Sequence, residues 1–284
     1  MYNFDFGSRV ARGGFANERA VCEKFNKWKM DEEAKIWLSI MGYKIKDIQN
    51  VKAIQIPARI KRTQVKEFGF NENEYEALMK FKKADIQVQI RILIKINDML
   101  KIENLSLKKA NSDADYNQVD KRWVDSYREM WNFDDEIAIG LKLFTGEIPP
   151  AKYPGKLKVN IQNLRDKKRV FLDELNDILR DKIVDFFKRN KILIVSDILK
   201  GRGGFSADWM LVTKYDKSKD TTAWVLKDIN TVMNFFGQGD VKISPQGNLY
   251  IGRITMQRKG GTPDPTKLQF KIKPCDLFNI DKGV

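Results

Sequence analysis

Histidine is absent from this 284-residue chain. That excludes Ser-His-Asp and Cys-His catalysis, histidine-ligated zinc and an imidazole general base together. Cysteine is nearly absent: Cys22 and Cys275 stand near opposite ends without CxxC spacing. Neither a zinc site nor a disulfide framework is expected, and a reducing cytoplasm is the natural setting. No apolar run approaches the roughly 18 residues that a membrane span needs, so no membrane partner is expected. The start, Met1-Tyr2-Asn3-Phe4-Asp5-Phe6, has no basic lead before an apolar core and does not read as a signal peptide. Fixed-period repeats and low-complexity tracts are also missing.

Positive charge is what the chain has in excess: 52 Lys and Arg against 38 Asp and Glu, a net +14. With 42% hydrophobic and 11% aromatic residues it can build a core, so it is no disordered basic tail. A basic protein with a real core points to a polyanion as partner, nucleic acid or an acidic surface. The length fits one large domain, or a domain with a helical appendage.

Phe15, Val21, Phe25, Trp28, Ile36, Trp37 and Ile40 recur at near-helical spacing, and Gly42 ends that region. Val51 to Ile56 predicts a short strand closed by Pro57. Arg59 to Lys83 reads as an inserted loop with a short helix. Polar and apolar residues then alternate from Asp85 to Ile92, Asn97-Asp98 makes a turn, and a second strand runs from Lys101 to Lys109: a β-hairpin. Tyr116, Val119, Trp123, Tyr127 and Trp131 predict an amphipathic helix, with Asn117, Gln118 and Lys121 at its start. After a basic, proline-bearing connector from Pro149 to Lys168, Phe171 to Phe187 mark a long helix. Ile192 to Val195 predicts a strand. The remainder reads as β-rich, with strands at 209–214, 223–226, 241–244, 249–257 and 268–272 and a helix at 227–236. The fold class expected is mixed α/β, one domain over 1–284 with an insertion at 59–83 and a β-rich C-terminal part over about 192–280.

With histidine and zinc excluded, hard-cation chemistry on phosphate is the main catalytic option left. It needs carboxylates for Mg²⁺ and a lysine near the attacked phosphate. Asp85 opens the first hairpin strand. On the second, Ser106 and Lys108 are two apart and share a face, with Leu105 and Leu107 on the other. Ser106 stands where an acid is wanted, and Glu103 has the wrong parity to replace it. Glu18 lies on the apolar stripe of the first helix with Val21, Cys22 and Phe25, where an unpaired charge is expensive; it either pairs with a basic group or faces a metal. Alone, the Asp…Ser-x-Lys pattern reads more readily as a half-exposed β-ribbon.

The surrounding residues are far more specific. Gly13-Gly14-Phe15-Ala16-Asn17-Glu18, Asn117 to Trp123, Glu129 to Asp135, Phe144 to Pro150, Asp197 to Gly203 and Gln257 to Gly261 occur as ordered blocks from about Gly7 to Ile280. In that order they resemble the HinP-type Type II restriction endonucleases, which cleave duplex DNA at GCGC. The resemblance implies a PD-(D/E)xK nuclease fold with a mixed sheet flanked by helices, Mg²⁺ dependence, and hydrolysis of one phosphodiester per strand to leave a 5′-phosphate. It maps Asp85 onto the metal-binding Asp and Lys108 onto the catalytic Lys, and Glu18 into a matching Gly-Phe-x-Asn-Glu motif. Ser106 falls at the second metal-ligand position, where the family carries Gln and the related Msp-type enzymes carry Asn. The Arg59–Lys83 stretch adds roughly two dozen residues where the family has a short connection.

Base reading needs side chains that bond base edges in pairs. Asn117, Gln118 and Lys121 form one candidate cluster. Gln257, Arg258 and Lys259, running into Gly260-Gly261, form the other, and the turn Ser244 to Asn248 is a lesser one. Lys156, Lys158, Arg165, Lys167, Lys168 and Arg169 supply general phosphate attraction and salt-dependent binding. Expected partners are double-stranded DNA, a cognate DNA methyltransferase in the same cell, and a second copy in a homodimer. Two other readings stay open: a DNA-binding protein that has lost cleavage, for which Ser106 argues, and a structure-selective repair nuclease on the same fold.

Overall fold

The computed structural model describes residues 17–57, 60–80, 89–97, 99–216, 220–259 and 266–282. Helices α1 (17–26) and α2 (Glu32–Ile40) come first, then β1 (Asn50–Ile56), α3 (Tyr75–Lys80), β2 (Gln89–Ile96), β3 (Met99–Ala110) and β4 (Asn117–Arg122). Next are α4 (Val124–Trp131), α5 (Asp135–Thr145), α6 (Asp177–Arg189) and α7 (Lys191–Leu199). The rest comprises β5 (Trp209–Asp216), β6 (Thr221–Asp228), α8 (Ile229–Gly237), β7 (Val241–Ile243), β8 (Leu249–Ile251), β9 (Ile254–Arg258) and β10 (Leu268–Ile272). No helix among the described residues is long and apolar enough to cross a membrane. The chain divides into two units, Met1–Asn117 with Leu199–Val232 and Lys273–Val284, and Gln118–Ile198 with Met233–Ile272.

The first unit holds a sheet in the order β1-β2-β3-β5-β6. All its pairs are antiparallel except β3 with β5. β2 and β3 turn at Asn97, whose φ of 45° is a left-handed conformation that asparagine tolerates. A parallel pair requires a crossover, and here β3 ends at 110 and β5 begins at 209, so 98 residues lie between them. Strand alternation sends Ile92, Ile94, Leu105, Leu107, Leu211 and Leu226 to one face, against Phe25, Trp37 and Leu38. Trp37 anchors that layer, its ring 5.3 Å from Phe25 and 5.6 Å from Trp224. Asp31 starts α2 by accepting from the Ala34 N–H at 2.9 Å.

The expected insertion is folded where it is described. Ile56, Ile60, Val65, Phe68, Leu78 and Phe205 form a small core of their own, with Ile54 and Phe70 packed on it. Phe68 and Phe70 meet Phe205 edge-on at 5.8 and 5.0 Å. Glycine is needed at 204, because a Cβ there would run into the Phe70 ring and come within 2.8 Å of Leu78. The short helix expected in this stretch is α3.

The second unit has a sheet ordered β4-β10-β9-β8-β7. Its core is aromatic: Tyr127 stacks on Trp131 at 4.7 Å, and Phe270 of β10 meets their rings at 5.3 and 5.8 Å. α5 and α6 approach closely at Gly140, where a Cβ would lie 2.7 Å from Ile183 Cδ1. Three expectations are corrected here. Residues 117–122 are a strand, β4, hydrogen-bonded to β10, and the helix starts only at Val124. The run Ile192 to Val195 belongs to helix α7, so the β-rich C-terminal part begins at Trp209. The strand expected over 249–257 is a hairpin, β8 and β9, folded at Gly252-Arg253. Gly252 has φ 58°, and a Cβ there would sit 2.5 Å from the Gln238 carbonyl oxygen.

Candidate active site

β3 carries two of the candidate catalytic residues, Ser106 and Lys108. Its odd residues Leu105 and Leu107 enter the core below α1 and α2, so Ser106 and Lys108 take the opposite face. Ser106 is 0% and Lys108 5% exposed. Gln89 stands opposite Ser106 on β2, and Met210 and Val212 flank Ser106 and Lys108 on β5. The Ser106 Oγ is buried without a hydrogen-bond partner. An orphan of that kind costs about 1–3 kcal/mol and calls for an explanation. Glu103 has the other parity, as expected, and is committed elsewhere: its carboxylate accepts from the Tyr43 hydroxyl and from the Trp209 indole at 2.9 Å.

Glu18 is 2% exposed on α1, on the same stripe as the buried Val21, Cys22 and Phe25. The Gln55 amide donates to it, while its neighbour Asn17 donates to Thr213 Oγ1 at 2.8 Å. Burial pushes the Glu18 carboxyl up from 4.5 to about 6; the Gln55 hydrogen bond and the Lys108 charge pull the other way. Lys108 is thus a basic group whose charge reaches Glu18. Because the folded value stands above the ordinary one, the stability Glu18 contributes is present below pH 4.5 and lost as pH rises through 6. In metal-free protein, Glu18→Gln is expected to gain about 2 kcal/mol over wild type at pH 8 and nothing near pH 4. Urea unfolding at the two pH values checks this, and an equal gain at both would refute it.

Asp85 lies outside the described residues. Among those that are described, no three Asp, Glu or Cys side chains gather as a metal site. Among the described residues, the unpartnered Ser106 oxygen is a feature that fits a hard cation, which takes oxygen ligands.

The base-reading candidates sit on strands, except Lys259, which follows the end of β9. Asn117 donates to the Lys109 carbonyl at 2.9 Å, so its amide braces the end of β3. Gln118 and Lys121, half-buried, lie on β4 in the second unit beside Asp120, which accepts from the Tyr127 hydroxyl at 2.5 Å. Gln257 of β9 faces Gln269 of β10 across the ladder. Arg258 Nη1 pairs with Asp166 at 3.3 Å, and the Lys259 N–H donates to the Lys267 carbonyl at 2.8 Å. Gly260-Gly261 fall outside the described residues. Of the cations expected to attract phosphate generally, Lys156, Lys158, Arg165 and Arg169 are ion-paired, with Glu136, Asp177, Asp173 and Asp166. Lys167 and Lys168 are exposed. Sequence reasoning missed Gln269, 1% exposed, whose amide donates to the Arg258 carbonyl at 3.1 Å and whose Oε1 has no partner. The polar–apolar alternation of Gln269-Phe270-Lys271-Ile272 is the signal that marks it.

A model of the R.HinP1I restriction endonuclease family matches residues 74–278. The chain belongs to that family. A member of the R.HinP1I family is a site-specific deoxyribonuclease, and the match takes in Ser106, Lys108 and both candidate clusters for base reading while Glu18 precedes it. No curated protein matches the chain. Among solved structures, the restriction endonuclease MspI in complex with its cognate DNA is similar, with TM-score 0.53 at 10% identity over 90% of this chain and 87% of that one. At that identity the likeness shows the fold, a restriction-endonuclease-like mixed α/β architecture, as the sequence led us to expect.

Proposed function

We propose that this R.HinP1I-family member is a Type II, Mg²⁺-dependent enzyme. It hydrolyses one phosphodiester in each strand of duplex DNA at a short GC-containing palindrome, GCGC in the first instance, and leaves 5′-phosphates. The observation that carries the reading is the buried Lys108 two residues from the orphan Ser106 oxygen, on one face of β3 and inside the family match. The resemblance to the family's metal-binding positions supports Asp85 and Ser106 as the metal-holding pair. Mg²⁺ held there would supply charge stabilisation at the phosphate and lower the pKa of a water, so that hydroxide is available as the nucleophile. Lys108 holds and orients the attacked phosphate, and Glu18 keeps the lysine charged and directed.

Asn117, Gln118, Lys121, Gln257, Arg258 and Lys259 read the bases, with duplex DNA as the macromolecular partner. A two-fold site suits a homodimer. In the cytoplasm, a methyltransferase of the same specificity protects host DNA. The test is digestion of unmethylated phage DNA with Mg²⁺, followed by fragment-end sequencing, with Asp85→Ala as control. Discrete ends at one palindrome, lost in the variant, are expected. Ser106 in place of an acid or amide favours a second reading, binding without cleavage. Well-folded protein that retains DNA but leaves it intact would establish that reading instead.

A further inference from the structure

Asp166 plays no part in the reading above, yet it organises the arginine that reading depends on. Its Oδ1 accepts the Lys168 backbone N–H at 2.9 Å, which fixes the carboxylate in its own turn. Its Oδ2 receives Arg169 Nε at 3.2 Å and Arg258 Nη1 at 3.3 Å. Two guanidinium groups therefore share one carboxylate oxygen. Arg169 is set by aromatic packing as well, lying 4.1 Å over the Phe171 ring. Burial first, and the neighbouring Arg258 charge second, hold the Arg169 guanidinium below its ordinary range. Arg258 is fixed from the main-chain side by Gln269, and its side chain is only 14% exposed. A solvated strand end giving general phosphate attraction has none of these restraints.

We propose that Asp166 is a positioning residue for sequence discrimination: it orients the Arg258 guanidinium in the plane needed to bond a base edge. The proposal rests on Arg258 being a base reader. An arginine recognises guanine through two donors in a fixed fork, so its value depends on how little it must reorganise on binding. A carboxylate locked by its own backbone bond supplies that preorganisation. It also lowers the local positive charge, which weakens attachment to DNA of any sequence. Asp166 thus trades general affinity for selectivity.

The experiment compares wild type, Asp166→Asn, Asp166→Glu, Arg258→Ala and the Asp166→Asn/Arg258→Ala double variant, each checked for an unchanged melting profile. Cleavage is measured on a short duplex carrying the palindrome mapped by fragment-end sequencing, and on its singly substituted versions. Asp166→Asn is expected to lower the ratio of kcat/KM for the mapped site over a substituted site by about 10- to 100-fold, the range of one paired base contact. Affinity for unrelated duplex stays level or rises as a negative charge is removed. Asp166→Glu restores part of the ratio, and the double variant discriminates no worse than Arg258→Ala alone, because Asp166 acts through Arg258. Full discrimination in Asp166→Asn, with discrimination lost in Arg258→Ala, would overturn the proposal while sparing Arg258. Full discrimination in Arg258→Ala would remove the base-reading assignment itself, and the proposal with it.

Discussion

Lys108→Met cuts duplex DNA about 10²- to 10⁴-fold more slowly than wild type, the range by which a positioned proton-handling or charged group accelerates a reaction, while binding DNA nearly as well. Methionine keeps the volume and flexibility of the lysine stem, so the buried position on β3 stays filled. What disappears is the charge. Glu18 records the loss independently: the Lys108 charge holds its carboxyl down, so in the variant that carboxyl titrates still higher than about 6. Single-turnover cleavage of a plasmid carrying the mapped site measures the first effect, and a gel shift without Mg²⁺ measures binding. Cleavage within a few-fold of wild type would show that the site does not use Lys108.

Phe270→Ala is expected to cost about 3–5 kcal/mol of stability, the usual loss for a large aromatic side chain removed from a core. Phe270 is fully buried, and both Tyr127 and Trp131 lean on its ring from α4. Those two residues also anchor buried carboxylates, since the Tyr127 hydroxyl donates to Asp120 and the Trp131 indole to Asp197 at 2.9 Å. A cavity at Phe270 therefore disturbs packing and buried polar pairing together. The urea midpoint falls with little change in slope. A loss under about 1 kcal/mol, well below the core range, would mean the cluster collapses into the space and does not depend on that ring.

The β2–β3 hairpin was legible because strict alternation and a short polar turn are local signals, and residues 89–96 do pair antiparallel with 99–106. The parity argument on β3 held for the same reason. β4 was misread because Tyr116, Val119, Trp123 and Tyr127 mimic a helical stripe, yet Tyr116 and Trp123 are exposed and only Val119 and Tyr127 of that set are buried. Pairing with β10, some 150 residues downstream, decides the matter, and no local window contains it. The opposite error befell Ile192 to Val195. Four branched residues look like a strand, but Ile194, Val195, Ile198 and Leu199 are the buried apolar ones, a helical stripe seen only in a longer window, with Ile192 in solvent. α5 drew no notice beforehand, although Asp134 caps it and Gly146, at φ 78°, ends it. At the site, residue types were readable and commitments were not. Nothing in the sequence says that Tyr43 and Trp209 occupy Glu103, or that Asp166 holds Arg258.

The 98 residues between β3 and β5 also set a clock. A ribosome adding about 5–20 residues per second finishes β5 roughly 5–20 s after β3. Until then the strand bearing Ser106 and Lys108 has no parallel neighbour, and a loop of that length must close before the pair forms. A nascent chain therefore carries only β1, β2 and β3 of the five-stranded sheet for that interval. A product ending before Trp209 lacks β5 and β6, and so two of the five strands of the sheet that holds β3.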